Sequence, residues 1–455
     1  MPLDHQTIQQ FRDAHRGDVI VPDDARYDQA RRVWNAMIDR RPALIARPRT
    51  AVDVIACVNF AREHGLPVAV RGGAHGIAGR GTCDDGLVVD FCEMKGIRVD
   101  PAARTARAEP GVKWGEFDRE TQAFGLATTG GTVGDTGVAG LTLGGGFGWL
   151  EGRFGMTVDN LLSADVVLAS GDLVRANEIE HADLFWALRG GGGNFGIVTS
   201  FEYRLHEVGP TIVGGLLLHP FARAGEVLRF YAGFMRTAPD ELVAAAVLLT
   251  APDGTRACGI AAAYVGDVRE GERVVAPLKA FGTPVMDIIG PLPYVVQQSL
   301  IEPAMPPNLL NYWKAEFVDD LSDGVIDTTV EAFSRVPSPV SSLLFFPIRG
   351  AASRVAPDAT SFPHRGGYHV GIYSLWHDPA HNAANIQWVR DTWSAVRPFA
   401  SGGVYVNELG EDEGADRVRV AYGANFERLQ RVKARYDPRN LFCLNANIAP
   451  AAAGL

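Results

Sequence analysis

The chain has 455 residues, more than one ordinary hydrophobic core accommodates, which predicts two domains or a discontinuous pair. Hydrophobic residues make up 47% and charged residues 21% of the chain, as in globular and not in disordered proteins. The formal net charge of −10, without any basic stripe, argues against a nucleic-acid partner.

Cysteine usage and hydropathy exclude several other classes. The five cysteines are odd in number and form no CxxC pair, so they predict neither a disulfide framework nor a zinc site. The spacing of His377 and His381 resembles a metal site, but Pro379 interrupts any helix face, and we predict no metal. The polar N-terminus and the lack of an 18-residue apolar run predict no secretory signal, no membrane span and a cytoplasmic location.

The first half of the chain alternates predicted strands and helices. A helix is predicted over 50–64, with a capping box from Thr50 and Asp53 and a C-cap at Gly65. Strands are predicted over 66–71, 86–91, 164–170 and 196–205, and helices over 114–123 and 181–190. Residues 126–150 are too rich in glycine for a helix or strand interior and too apolar for a linker, which predicts a functional loop.

Residues 211–400 have a different pattern. Six strand-like runs, starting near 212, 241, 257, 311, 341 and 367, are mixed with four amphipathic helices, which predicts one antiparallel sheet with helices on a face. One more helix is predicted over 415–436. The fold class expected from the whole pattern is therefore α+β.

Glycine is the informative excess, because the 51 glycines cluster at 72–81, 125–155 and 190–196. Such clusters let backbone approach a large ligand. The segment GGGNFG (191–196) matches the dinucleotide motif G-x-G-x-x-G by letter, but it follows a helix and opens a strand, so a nicotinamide-binding Rossmann fold is disfavoured. Backbone amides in RGGAHGIAG (71–79) can instead form an anion-binding nest. A glycine turn that binds no ligand would have the same local sequence pattern and is the alternative for this segment.

Four separated motifs, in order, resemble the FAD-linked oxidases that include berberine bridge enzyme and 6-hydroxy-D-nicotine oxidase. They are ARPRTAVDVIACVNFAREHGLPVAVRGGAHGIAG (46–79), GGTVGDTGVAGLTLGGGFGWLEGRFGMTVDNL (130–161), DLFWALRGGGGNFGIVTSFEYRL (183–205) and YDPRNLFCLNANI (436–448). The resemblance implies an FAD-binding domain of the PCMH or vanillyl-alcohol-oxidase type over 1–210, a substrate domain over 211–402, and a C-terminal segment over 403–455 that returns to the FAD domain.

The resemblance also implies the cofactor and its attachment. His75 is the expected site of a covalent bond to the flavin, since a neutral imidazole is a nucleophile; a histidine that only forms hydrogen bonds in a turn is the alternative. Gly130 occupies the position where many relatives carry a second, cysteinyl anchor, so we expect a single link. The predicted FAD-binding residues are Arg71, Gly72, Gly73, Ala74, His75, Gly76, Gly79, Thr132, Gly134, Asp135, Gly137, Gly140, Gly144, Gly145, Gly148, Asn194, Gly196, Ile197, Val198, Asn445 and Asn447.

Three residues, His369, Tyr405 and Asn407, are predicted to be catalytic. Alternation along GYHVGIYSLW places His369, Gly371 and Tyr373 on one face, and His369 is the first choice for a base or polar anchor, with a merely half-buried histidine as the alternative. Tyr405 and Asn407 share a face of the segment GGVYVNELGEDE. Tyr405 is an acid/base partner if a cation lowers its pKa and otherwise a hydrogen-bond donor. Tyr312 and Lys314 rank lower, and a solvated Lys314 is expected.

The predicted activity is oxidation of a small organic substrate by hydride transfer to FAD, with O₂ as the electron acceptor. Two alternatives stay open from the sequence: a dehydrogenase of the same fold that rejects O₂, and a flavin-binding protein without catalysis. The substrate is equally open among an oligosaccharide, an alkaloid-type amine and an intermediate of secondary metabolism. No oligomeric state is predicted.

Overall fold

The computed structural model describes residues 3–251 and 253–452, and its helices confirm most of the predicted ones. Thr50 caps the helix Ala51–His64, the capping box with Asp53 is present, and Gly65 ends the helix in the left-handed conformation. The helices are His5–Ala14, Tyr27–Ala30, Ala51–His64, Trp114–Gln122, Val138–Leu143, Glu151–Phe154, Ala182–Leu188, Ala224–Met235, Val268–Ala280, Tyr294–Gln298, Asp323–Ser334, Ala351–Arg354, Asn382–Val396, Ala415–Tyr422 and Phe426–Tyr436.

Two predicted elements differ in the structure. The glycine-rich segment 126–150 contains the helix Val138–Leu143, which is stabilised because Val138 and Thr142 are buried and the Thr142 hydroxyl bonds Tyr203 at 2.7 Å. The single helix predicted over 415–436 is two helices. Gly423, at φ +50°, interrupts it, and a short 3₁₀ turn joins the two parts.

Within the described residues, the first half of the chain forms two larger sheets and one two-stranded pair. Parallel pairing joins Leu44–Ala46, Leu87–Asp90 and Val68–Arg71, with Val19–Ile20 antiparallel at the edge. The second sheet is antiparallel, in the order Ile97–Asp100, Thr105–Ala108, Ile197–Arg204, Leu161–Val167 and Leu173–Asn177. A small pair, Leu126–Ala127 with His206–Glu207, closes this half.

The middle of the chain forms one antiparallel sheet, as predicted. In the described residues its order is Met286–Asp287, Thr211–Pro220, Arg256–Tyr264, Leu242–Thr250, Ser342–Pro347, Tyr368–Trp376 and Leu310–Val318, and Gly290–Pro293 also pairs with Thr211–Pro220. One core lies between this sheet and helices such as Ala224–Met235 and Asn382–Val396. The chain therefore passes from the five-stranded sheet, which contains Ile197–Arg204, to the large sheet, which starts at Thr211, close to the predicted boundary at 210.

Two packing relationships position the site. Residues of the tail, including Val404, Leu409 and Leu429, pack in the same core as the five-stranded antiparallel sheet. A second cluster joins Trp149 and Met156 of the first half to Phe346 of the large sheet. The space between the two halves is thus bounded by the glycine-rich loops, the large sheet and the tail. Across the described residues, every helix is too short or too polar to cross a bilayer.

Candidate active site

A cavity of about 350 Å³ lies between the two halves of the chain. Its size falls within the range typical of small-molecule and cofactor sites. Residues of all three glycine clusters contribute to its wall, together with the large sheet and the tail segment 405–409. The turn 72–76 follows the carboxyl end of the parallel strand Val68–Arg71, where open α/β sheets bind their ligands.

Two of the glycine loops meet backbone to backbone on one side of this cavity. A Cβ on Gly73 would lie 2.5 Å from the amide nitrogen of Gly137, and one on Gly137 would equally overlap Gly73. By contrast, a Cβ on Gly76 or Gly140 would meet no protein atom within 4 Å, although both residues line the cavity. The loops thus fit tightly against each other and leave open space on the ligand side.

Fourteen of the predicted FAD-binding residues line this cavity. They are Arg71, Gly72, Gly73, Ala74, His75, Gly76, Thr132, Gly137, Gly140, Asn194, Gly196, Ile197, Val198 and Asn445. Arg71 is only 4% exposed, and its guanidinium donates to the Asp90 carboxylate at 2.9 Å, so it anchors the start of the turn. Asn194 is fully buried and donates to the carbonyl oxygens of Gly191 and Ala446, which ties the third glycine cluster to the tail.

Seven predicted binding residues do not line the cavity. Three glycines allow close packing, Gly79 against Ile38, Gly145 against Phe362 and Gly148 against the carbonyl oxygen of Gly130, whereas Gly134 lies beside the Glu302 carboxylate. Asp135 forms an ion pair with Lys113, and Asn447 is part of the tail with a buried amide oxygen. Gly144 leaves room for the Asn407 side chain, which a Cβ there would overlap.

His75 lies on the cavity wall with its imidazole stacked on the Trp34 indole, at 4.4 Å between centroids and 26° between planes. Its Nε2 atom is shielded from solvent and has no hydrogen-bond partner among the described residues. Burial is the main cause that lowers the pKa of His75 to about 4, with a smaller contribution from Lys113 opposed by Asp135. The imidazole is therefore neutral at physiological pH, with an unengaged nitrogen.

The tail brings consecutive side chains to the cavity through a 3₁₀ turn, Val406–Glu408. All five residues 405–409 line the cavity, and Glu408 lies three positions after Tyr405, the spacing at which side chains eclipse in such a turn. Asn407 donates to the Tyr405 hydroxyl at 2.9 Å. Burial raises the pKa of Tyr405, so its phenol stays neutral and acts as a hydrogen-bonding group.

Glu408 is the residue that the sequence analysis missed. Its two carboxylate oxygens are engaged by the strand Tyr368–Trp376: Oε2 lies 3.0 Å from His369 Nε2, and Oε1 accepts the Tyr373 hydroxyl at 2.9 Å. The prediction assumed strand alternation around Tyr405, which would point Glu408 away from Tyr405. The three-residue period of the turn reverses that orientation.

His369 and Tyr373 share one face of their strand, as predicted, but only Tyr373 lines the cavity. His369 is fully buried behind the wall, where it contacts Glu408. Gly371 lies between them, and the Tyr373 ring occupies the space that a Cβ on Gly371 would need. The expected solvated Lys314 is instead 4% exposed, because its ammonium group pairs with Asp412 at 3.2 Å and Glu413 at 3.5 Å.

Comparison with known families matches two parts of the chain. The family model for the FAD binding domain matches residues 42–177, which include His75. The family model for berberine and berberine-like proteins matches residues 404–449, which include Glu408. An FAD-linked oxidoreductase of Dictyostelium discoideum is 32% identical over 98% of this chain and 97% of its own length.

Two further relatives are named oxidases. Xylooligosaccharide oxidase of Thermothelomyces thermophilus is 28% identical over 92% of this chain and 89% of its own length. The crystal structure of 6-hydroxy-D-nicotine oxidase from Arthrobacter nicotinovorans superimposes with a TM-score of 0.89 at 28% identity, covering 96% of this chain and 98% of that one. The described fold is thus the two-part, PCMH-type flavoprotein architecture.

Proposed function

Because the chain belongs to the FAD-linked oxidoreductases of the berberine-bridge type, we propose that it is an oxidase with FAD attached covalently to His75. It removes a hydride from a small organic substrate and uses O₂ as the electron acceptor. When bound, FAD supplies the two-electron chemistry, accepting the hydride and passing both electrons to O₂, which leaves as H₂O₂. The observation that carries the proposal is the joint presence of a neutral imidazole and an oriented carboxylate in the lining of one cavity.

The glycine-lined part of the cavity fits the dinucleotide. The turn 72–76 offers consecutive backbone amides of the kind that hold a pyrophosphate. The open space beside Gly76 and Gly140 is where a ligand replaces the missing side chains. An apolar end, formed by residues such as Val70, Ile197 and Phe442, suits a flat base.

His75 is the proposed attachment residue because its chemistry and position agree. A nucleophilic imidazole has to be neutral, and burial keeps it so at physiological pH. The Trp34 ring fixes the plane of the imidazole, which limits the conformations in which its free nitrogen reaches the ligand. A single link is proposed because a side chain on Gly130 would lie 2.5 Å from the Trp114 ring, and none of the five cysteines lines the cavity.

Glu408 is the proposed proton acceptor. A carboxylate oriented by two hydrogen bonds is placed to take the proton from a substrate O–H or N–H while the adjacent carbon loses its hydride. His369 and Tyr373 are positioning residues for this carboxylate, and Tyr405 with Asn407 forms the neutral polar edge beside it. Proton acceptance by a positioned side chain contributes roughly 10²- to 10⁴-fold to a rate.

Two measurements test the proposal. Acid precipitation of the purified protein is expected to leave yellow colour in the pellet, and His75→Ala is expected to release all FAD to the supernatant. The exposed His377→Ala serves as the matched control. A wild-type pellet without flavin would refute the covalent bond.

The second measurement is anaerobic flavin reduction followed by exposure to air. Glu408→Gln is expected to slow reduction by about 10²- to 10⁴-fold at unchanged flavin content, whereas Glu411→Gln, an exposed carboxylate three residues further on, leaves it unchanged. Air is expected to restore the oxidised spectrum within seconds and to produce H₂O₂. Persistence of the reduced spectrum in air would assign a dehydrogenase instead.

A further inference from the structure

The wall of the cavity that the large sheet and its preceding segment provide is apolar and aromatic. It consists of Ile301, Met305, Trp313, Leu344 and Tyr373. Trp313 and Tyr373 lie with their ring centroids 4.6 Å apart at 52°, and the edge of Trp34 meets Trp313 at 5.5 Å and 72°. Tyr373 of this wall donates to Glu408 of the tail, so the wall bounds the space where a substrate would lie beside the proton acceptor.

The two polar side-chain atoms on this wall already have partners. Trp313 Nε1 donates to Asn311 Oδ1 at 3.2 Å, and the Tyr373 hydroxyl donates to Glu408. The other three side chains carry no nitrogen or oxygen. Among the described residues, the sheet side of the cavity therefore has no side-chain donor left for a ligand, and Glu408 is the acidic group of the lining.

A sugar could stack the C–H face of its ring on these aromatic side chains, but its hydroxyls would find no free side-chain donor on this wall. Each hydroxyl buried against it would lose its water without gaining a partner, and an unpaired buried polar group costs about 1–3 kcal/mol. A flat aromatic body loses nothing polar there, and its ring can contact the faces and edges of Trp313 and Tyr373 favourably. One polar hydrogen next to the oxidised carbon suffices to engage Glu408.

We propose that the substrate is a largely apolar aromatic molecule with one alcohol or amine group, and not a saccharide; this inference rests on the proposed oxidase function. The substrate carbon loses a hydride to the cofactor, the O–H or N–H proton goes to Glu408, and a C=O or C=N bond forms. O₂ takes the two electrons with two protons and leaves as H₂O₂, which balances the reaction. Trp313 is the residue that selects the aromatic body.

The test compares matched ligands on the holoenzyme and includes a readout that needs no turnover. Equilibrium binding, followed by quenching of protein fluorescence, is measured for 4-hydroxybenzyl alcohol, N-methylbenzylamine, cyclohexylmethanol, xylobiose and cellobiose. Anaerobic flavin bleaching is recorded with the same panel. We expect the aromatic alcohol or the aromatic amine to bind and to bleach the flavin, and we expect both sugars to do neither. The comparison of the alcohol with the amine shows which of the two polar groups the enzyme oxidises.

Trp313→Leu is expected to weaken aromatic binding by about fivefold or more, the size of an aromatic contact. Tyr312→Phe is the control on the same strand, because the Tyr312 side chain contacts Asp412 and Arg390 and not the cavity. Bleaching by a sugar but not by the aromatic compounds would overturn the substrate class and leave the oxidase intact. Equal aromatic affinity in Trp313→Leu and wild type, or no aromatic binding at all, would also overturn it. An absence of protein-bound flavin would refute the proposed function, and the fluorescence titration would still report on the wall.

Discussion

The buried carboxyl of Asp118 is expected to make the stability of the protein depend on pH. The carboxyl lies on the helix Trp114–Gln122, is 1% exposed and accepts one hydrogen bond, from Gln298 Nε2 at 2.7 Å. Burial raises the pKa of Asp118 from 3.8 to about 7, and the Gln298 bond offsets only part of this rise. Gln298 also donates to the carbonyl oxygen of Gly131, a cavity residue, so the bond connects the two halves of the chain beside the site.

A carboxyl whose pKa is raised by folding stabilises the native state most at low pH, and this contribution is lost as the pH rises toward the folded pKa. A shift from 3.8 to about 7 amounts to about 4 kcal/mol in total. Between pH 5 and pH 8 the loss is about 2–3 kcal/mol, because part of it has already occurred below pH 5. Asp118→Asn keeps an oxygen that accepts from Gln298 but does not ionise, and it removes this loss.

Urea denaturation of wild type and Asp118→Asn at pH 5 and pH 8 measures the effect. The free energy of unfolding of Asp118→Asn minus that of wild type is expected to be about 2–3 kcal/mol larger at pH 8 than at pH 5. Asp172→Asn, which changes an exposed turn carboxylate, is expected to show the same difference from wild type at both pH values. A relative change below about 1 kcal/mol for Asp118→Asn would contradict a buried carboxyl that is protonated at neutral pH.

Three further predictions address the cofactor and the proton acceptor. Gly140→Val projects a side chain into the open part of the cavity, so the noncovalent FAD binding that precedes attachment is expected to weaken by about 100-fold or more while the apoprotein keeps its unfolding midpoint; unchanged FAD affinity of the apoprotein would show that the ligand lies elsewhere. Trp34→Leu removes the ring stacked on His75, so covalent attachment is expected to slow while free FAD still binds. The rate of attachment is measured as flavin fluorescence in denaturing gels. An unchanged rate would show that Trp34 does not position His75 for attachment. Gly371→Ala displaces the Tyr373 ring from Glu408. Flavin reduction is expected to slow about tenfold, and the native state is expected to lose about 1–3 kcal/mol of stability. A normal rate of reduction would show that the contact between Tyr373 and Glu408 does not orient the carboxylate.

Much of the fold could be predicted because its signals are local. The capping box at Thr50 and Asp53, the left-handed Gly65 and the strand-like runs of the middle segment each depend on neighbouring residues, and the structure has all of them. The helix inside the glycine-rich segment was not predicted, because its stability comes from burial of Val138 and from the Thr142–Tyr203 bond, which joins residues 61 positions apart.

The amino-acid sequence by itself determined the FAD-linked family, its cofactor and the glycine-rich turn after the strand Val68–Arg71, because such a turn depends on a short run of glycine backbone. Only the tertiary structure decided which side chains share the cavity. His369 lies behind the wall, and Glu408 reaches the cavity through the three-residue period of a turn. That period and the contact between Glu408 and Tyr373, 35 positions apart, follow from packing of the tail against the sheet, which no local pattern encodes.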